Sequence, residues 1–166
     1  MYWNHIARWR GAYLEGRAAD ANVYANGRYT ITRRELQLLF PYYAAEAGDD
    51  RLYALLSKIT SPARSAGSAA LVIEPLSYAD GERKAWAWDT GRRRVLRAPD
   101  LAFDTPVNAA DGLHTADDVD LINGSPERFE WTLLGRREVL VPYNCYALES
   151  APVDEQLLWA GHLNPD

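Results

Sequence analysis

The stretch Lys84-Ala-Trp-Ala-Trp-Asp-Thr-Gly-Arg-Arg-Arg-Val-Leu-Arg97 decides the fold class. Successive side chains on a strand point to opposite faces, so Trp86 and Trp88 share one face. Asp89 to Gly91 supplies turn formers, and Arg93, Val95 and Arg97 share a face of the return strand. Pro99 closes the unit, since proline lacks the donor a ladder needs. The stretch therefore reads as a β-hairpin.

Moving toward the N-terminus, residues 69–74 form an apolar run that reads as a strand, preceded by a loop over 62–67. Residues 52–60 satisfy either period through Leu-Tyr-Ala-Leu-Leu, and the β-branched Ile59-Thr60 and Pro62 favour strand. Gly48-Asp49-Asp50 is a break. Residues 28–40 are extended, with Thr30, Thr32, Leu36, Leu38 and Phe40 in phase and Pro41 as the stop. Asn26-Gly27 is a tight-turn dipeptide. Residues 15–22 read as turn-rich. Residues 3–14 alternate loosely, with Trp3, His5, Ala7, Trp9 and Tyr13 on one face.

Toward the C-terminus, residues 100–126 are loop-like. Within them Thr115-Ala-Asp-Asp118 and Asn123-Gly124 bracket a short helix of about two turns. Residues 127–134 read as a strand with Phe129, Trp131 and Leu133 on one face. Residues 138–148 are ambiguous around Pro142, either strand or an irregular aromatic segment, and a helix starts over 155–159. With no repeat, low-complexity tract or linker, residues 1–166 read as a single domain.

Composition bounds the function. The 166 residues carry 18 Lys+Arg against 23 Asp+Glu, a net charge of −5. That length lets one domain bury roughly 70% of its unfolded surface. The 6 Trp and 10 Tyr against 3 Phe suit strands, interfaces and cavity walls. No stretch approaches the roughly 18 apolar residues of a membrane-spanning helix. The acidic balance argues against a nucleic-acid binder. The single Cys145 excludes an internal disulfide and leaves the compartment open.

Catalytic chemistry finds little support. His5, His114 and His162 are scattered, Cys145 has no signature around it, and no G-x-S-x-G elbow occurs. Asp117-Asp118-Val119-Asp120 fails as a calcium loop, because counting from Asp118 puts Ile122 and Asn123 at positions that need an oxygen ligand and glycine. Acids favoured at a helix start explain that run better. No phosphate cradle is present. No enzyme, metal or cofactor is therefore expected. The cluster Arg92, Arg93, Arg94 and Arg97 can contact an anionic head group or an acidic partner, although a solvated hairpin edge explains it more simply. The aromatics on strand faces fit a filled core or a ligand cavity, and periodicity does not separate the two.

Several ordered motifs add a resemblance. Arg83-Lys-Ala-Trp-Ala-Trp88, Arg93-Arg-Val-Leu-Arg-Ala-Pro99, Phe103-Asp-Thr-Pro106, Asp111-Gly-Leu113, Asn123-Gly-Ser-Pro-Glu-Arg128, Val141-Pro-Tyr-Asn144 and Gly161-His-Leu-Asn-Pro165 carry it. Together they resemble a bacterial domain family of unknown function. Its members are described as outer-membrane lipoprotein-sorting-like and grouped with the LolA/LolB-type lipoprotein localisation factors. The resemblance runs from about Tyr24 to the end of the chain. It implies a mainly β (α+β) fold, with a curved antiparallel sheet forming an unclosed half-barrel under short covering helices. It further implies a periplasmic or outer-membrane-associated place in a Gram-negative bacterium, and genes near transporters of the resistance-nodulation-division type. No leader precedes Tyr2, so export comes from the resemblance alone. Family members carry strands beyond the Asn-Pro motif, so the resemblance implies a sheet that is incomplete here, completed by another copy of the chain, or cut short by a truncated gene.

The resulting expectation is a non-enzymatic carrier or chaperone for a lipid or other hydrophobic small molecule. Strand phase nominates Leu38, Phe40, Trp86, Trp88, Phe129 and Trp131 as cavity wall. The alternative is an interaction module that docks an envelope transporter or outer-membrane partner through the Arg92, Arg93, Arg94 and Arg97 hairpin or an open sheet edge.

Overall fold

A computed structural model describes residues 8–43, 49–79, 81–98, 105–107, 110–116, 118, 125–141, 143–152 and 156. Chain contacts divide into two units, Met1–Pro126 and Glu127–Asp166.

The first unit is built on a six-stranded sheet in the order β1-β2-β3-β4-β5-β6. The strands are β1 (Tyr13–Val23), β2 (Tyr29–Leu39), β3 (Arg51–Ser61), β4 (Ala69–Pro75), β5 (Lys84–Asp89) and β6 (Arg94–Arg97). Every neighbouring pair is antiparallel, so each strand returns directly alongside the one before it. The order is linear, with β1 and β6 as edges and no closure into a barrel. With very little helix, the fold is mainly β, as expected.

The turns follow local chemistry. Gly27 takes φ +78°, and Tyr24 N–H donates to the Arg28 carbonyl at 2.9 Å to close the β1–β2 hairpin. The Asn26 side chain accepts from Arg28 N–H at 3.0 Å. The β5–β6 turn is held by Asp89, whose Oδ1 accepts from Gly91 and Arg92 N–H at 2.8 and 3.1 Å. Arg93 completes it at φ +49°.

The N-terminal expectation needs correction. Residues 15–22, read as turn-rich, lie inside β1, whereas residues 8–12, read as strand, form turns and bends. Gly16, Ala18, Asp20 and Asn22 have weak strand preference. They are extended because Tyr13 to Val23 pair continuously with Leu39 to Tyr29 across the tight hairpin. The part of the expected strand before residue 8 lies outside the described residues.

The two sheet faces differ. Cross-strand register runs Leu14–Leu38–Leu55–Val72–Ala85 on one of them, where Val72 and Ala85 are buried. Phe40 and Leu52 are buried beside it. The Phe40 ring meets Tyr42 and Tyr53 edge-on, at 6.1 and 6.3 Å. Burial, with Tyr43 alongside, pushes the Tyr42 phenol up to about 12.

Two polar clusters pin this side. Glu74, only 1% exposed, accepts from Tyr78 and pairs with Arg83. Burial pushes its carboxyl above the usual range, against the opposing pull of Arg83. At the far end of β1 and β2, Asp111 accepts from Tyr24 Oη at 2.6 Å and Thr30 Oγ1 at 3.2 Å. Asn22 and Arg64 reach it at 3.4 and 3.5 Å. The hydrogen bond from Tyr24, followed by those from the other groups, holds its carboxyl below the usual range.

The expected helix from Thr115 is described only at its start. There Thr115 N–H donates to Asp118 Oδ2 at 3.0 Å, the back-reaching half of a capping box. Most of the remainder, and the 155–159 helix apart from Gln156, lie outside the described residues.

In the second unit, residues 129–141 contain no strand, which corrects the expected strand over 127–134. The alternation of Phe129, Trp131 and Leu133 is present, yet no neighbouring strand among the described residues offers a ladder there, and a strand requires one. A short helix, α1 (Tyr146–Ser150), stands where 138–148 was ambiguous.

Candidate functional site

The face opposite Val72 and Ala85 carries the largest apolar side chains of β4 and β5. One row across it runs Glu15–Gln37–Leu56–Leu71–Trp86–Arg97. The row on one side runs Arg17–Glu35–Lys58–Ala69–Trp88–Val95. On the other side it is Tyr13–Leu39–Ala54–Ile73–Lys84. Parity alternates along each strand, so these three rows project to the same side.

Over β3 to β6 the rows enclose an open groove of about 370 Å³ lined by Leu56, Ala69, Ala70, Leu71, Ile73, Trp86, Trp88 and Val95. Its volume lies in the range of ligand sites, and its walls are apolar. Leu56, Trp88 and Val95 remain 42%, 39% and 60% exposed. Several large apolar side chains thus stand side by side with an outer surface uncovered among the described residues. Contiguous exposure of that kind marks interaction sites in soluble proteins.

Charge is unevenly placed on this face. Glu15 and Glu35 lie on β1 and β2, away from the groove. The chain's two lysines, Lys58 and Lys84, both point to this face, and Arg97 sits opposite Trp86.

The structure brings together only part of the expected wall. Trp86 and Trp88 line the groove. Leu38 and Phe40 lie on the other side of the sheet, Leu38 in the row with Val72 and Phe40 against Tyr42 and Tyr53. Phe129 and Trp131 belong to the second unit, where their rings meet edge-on at 5.7 Å. Strand phase groups residues within one strand. Which phase of one strand matches which phase of the next depends on register, and this is how Leu56, Leu71, Ile73 and Val95 escaped notice. Of the four arginines, Arg97 is on the groove face. Arg94 alternates to the other face opposite Asp89, Arg92 approaches Asp89 at 3.6 Å, and Arg93 sits in the turn.

Among the described residues no group of His, Cys, Asp and Glu could hold a metal ion, and no helix is long and apolar enough to cross a membrane. His114 stays near the capping turn, its Nδ1 3.2 Å from the Thr115 carbonyl. His5 and His162 lie outside the described residues.

By fold and site, this is an open antiparallel meander that presents an apolar groove. The chain belongs to the family described as Protein of unknown function (DUF1329), whose model matches residues 1–166. It is 36% identical over 171 residues to Uncharacterized protein PA3922 of Pseudomonas aeruginosa, an alignment that covers 100% of this chain. The chain spans 38% of that relative's length. No solved structure matches it.

Proposed function

We propose that the chain acts in a non-enzymatic carrier or chaperone that shelters a lipid-like molecule in the groove on β3 to β6. The observation that carries this reading is the apolar wall of Leu56, Leu71, Ile73, Trp86, Trp88 and Val95, uncovered among the described residues. The resemblance to LolA/LolB-type factors supports it, as those relatives carry acyl chains on a curved sheet, and it supports a periplasmic or outer-membrane-associated setting. Burial of an acyl chain contributes about 0.8 kcal/mol per methylene, so affinity needs no catalytic group.

Titration with a fluorescent fatty acid tests the proposal, together with native mass spectrometry of lipid extracted from the purified protein. Saturable binding that drops at least tenfold in the Trp86→Ala/Trp88→Ala variant is expected, with unchanged far-UV circular dichroism. Absence of both bound lipid and titratable binding overturns the reading.

A second reading, a module docking an envelope transporter, is favoured by one feature. The outer edge of β6 has no strand partner among the described residues, and Arg92, Arg93, Arg94 and Arg97 line its hairpin. It expects charge reversal at Arg94 to abolish partner capture while fatty-acid binding persists.

A further inference from the structure

We infer that the groove takes a fatty-acid-like anionic amphiphile whose head group sits at the Lys84–Arg97 end and whose chain runs across Trp86 and Leu71 toward Leu56. This rests on the carrier reading and adds the sign of the head group and the direction of the ligand. Register carries the placement. Arg97 is opposite Trp86, and Lys84 is opposite Ile73 and two residues from Trp86 on the same face. The two residues are therefore diagonal neighbours on adjacent strands, with Cα atoms within about 7–8 Å. From there both long side chains can reach a single anion.

Several arginines of this unit are neutralised by a nearby acid. Arg34 pairs with Asp20, Arg51 with Asp49, Arg83 with Glu74 and Arg92 with Asp89. Among the described residues neither Lys84 nor Arg97 has such a partner, in a chain with net charge −5. The acids on this face, Glu15 and Glu35, lie on β1 and β2 beyond the opposite end of the apolar row, where Glu35 stands opposite Lys58, the cation next to Leu56 on this face. Three inter-strand steps from β6 to β3 give that row a length of about 14 Å. A carboxylate at the cationic end thus leaves its chain on the apolar wall. A cationic head group meets repulsion in the same position.

The test is a tryptophan-fluorescence titration of the chain with laurate, dodecyltrimethylammonium and dodecyl maltoside. All three carry the same saturated chain, and all are used below their micelle thresholds at low ionic strength. Laurate is expected to bind at least tenfold more tightly than the cationic amphiphile. Added salt should weaken laurate binding and leave dodecyl maltoside unchanged. Lys84→Glu/Arg97→Glu, at two exposed positions, should bring laurate down to the level of the neutral ligand or below. Equal affinities for the three head groups, or a laurate preference untouched by both salt and the double variant, overturn the inference and leave the carrier reading standing. Failure of all three to bind overturns the carrier reading as well.

Discussion

The two faces of one sheet use the same strands in opposite ways. On β5, Ala85 is buried while Trp88, three residues on, is 39% exposed. On β4, Val72 and Glu74 are buried, whereas Leu71 and Ile73 line the groove. A sheet built only for stability would place its largest apolar side chains on the covered side, since buried area sets the hydrophobic gain. On β5 the alanines serve the covered side and the tryptophans the open one. The lesson is that both tryptophans of β5 are turned to the groove, where Trp88 stays exposed among the described residues.

The sharpest way to break this comparison is at the buried acid. Arg83→Ala leaves the Glu74 carboxylate without its ion pair, which should cost about 3–5 kcal/mol at neutral pH by chemical denaturation. The cost should shrink on acidification, as Glu74 takes up a proton. A loss below about 1 kcal/mol, the range of exposed pairs, would show that this side of the sheet is not closed.

Paired truncations come next. Leu52→Ala, buried against Tyr42 and Tyr53, should cost about 2–5 kcal/mol. Leu56→Ala, 42% exposed on the groove face, removes far less buried area and should cost less than about 1 kcal/mol. Equal losses in thermal or denaturant unfolding would erase the distinction between the faces.

Gly27→Ala sharpens the account of β1. An added Cβ meets nothing within 4 Å, so only the left-handed backbone at φ +78° opposes it. A loss of about 1 kcal/mol is expected. A much larger loss would mean that β1 depends on this turn more than on its ladder.

The smallest effect is a pH signature. Asp111 has a lowered folded pKa, so its contribution is present above the unfolded value and lost as pH falls through the folded one. Glu74 has a raised folded pKa, so its contribution is present below the unfolded value and lost as pH rises through the folded one. Melting curves across pH should therefore show Asp111→Asn flattening the acidic limb. Glu74→Gln should flatten the fall in stability above the ordinary glutamate range of about 4.3. A wild-type limb that neither variant changes would remove both clusters from the account.

Much of the fold was legible in the residues. Asn26-Gly27, Pro41, Pro62 and Asp89 to Gly91 act over a few bonds, so their turns and stops appear where local chemistry puts them. The strands over 28–40, 52–60, 69–74 and 84–97 follow from β-branched and aromatic content with period-two spacing. Where local signal and partner disagreed, the partner won. Gly16, Ala18 and Asn22 became strand because β2 lay alongside, and Phe129, Trp131 and Leu133 did not, having no ladder among the described residues.

The candidate site divides along the same line. By itself the sequence determined that Trp86 and Trp88 share a face and that Val95 and Arg97 share one, because alternation along a strand is a property of the backbone. Only the tertiary structure decided that these two pairs occupy the same face, that Leu56, Leu71 and Ile73 join them, and that Leu38 and Phe40 do not. Register between strands sets those relations, and it is fixed by hydrogen bonding and packing between residues far apart in the chain.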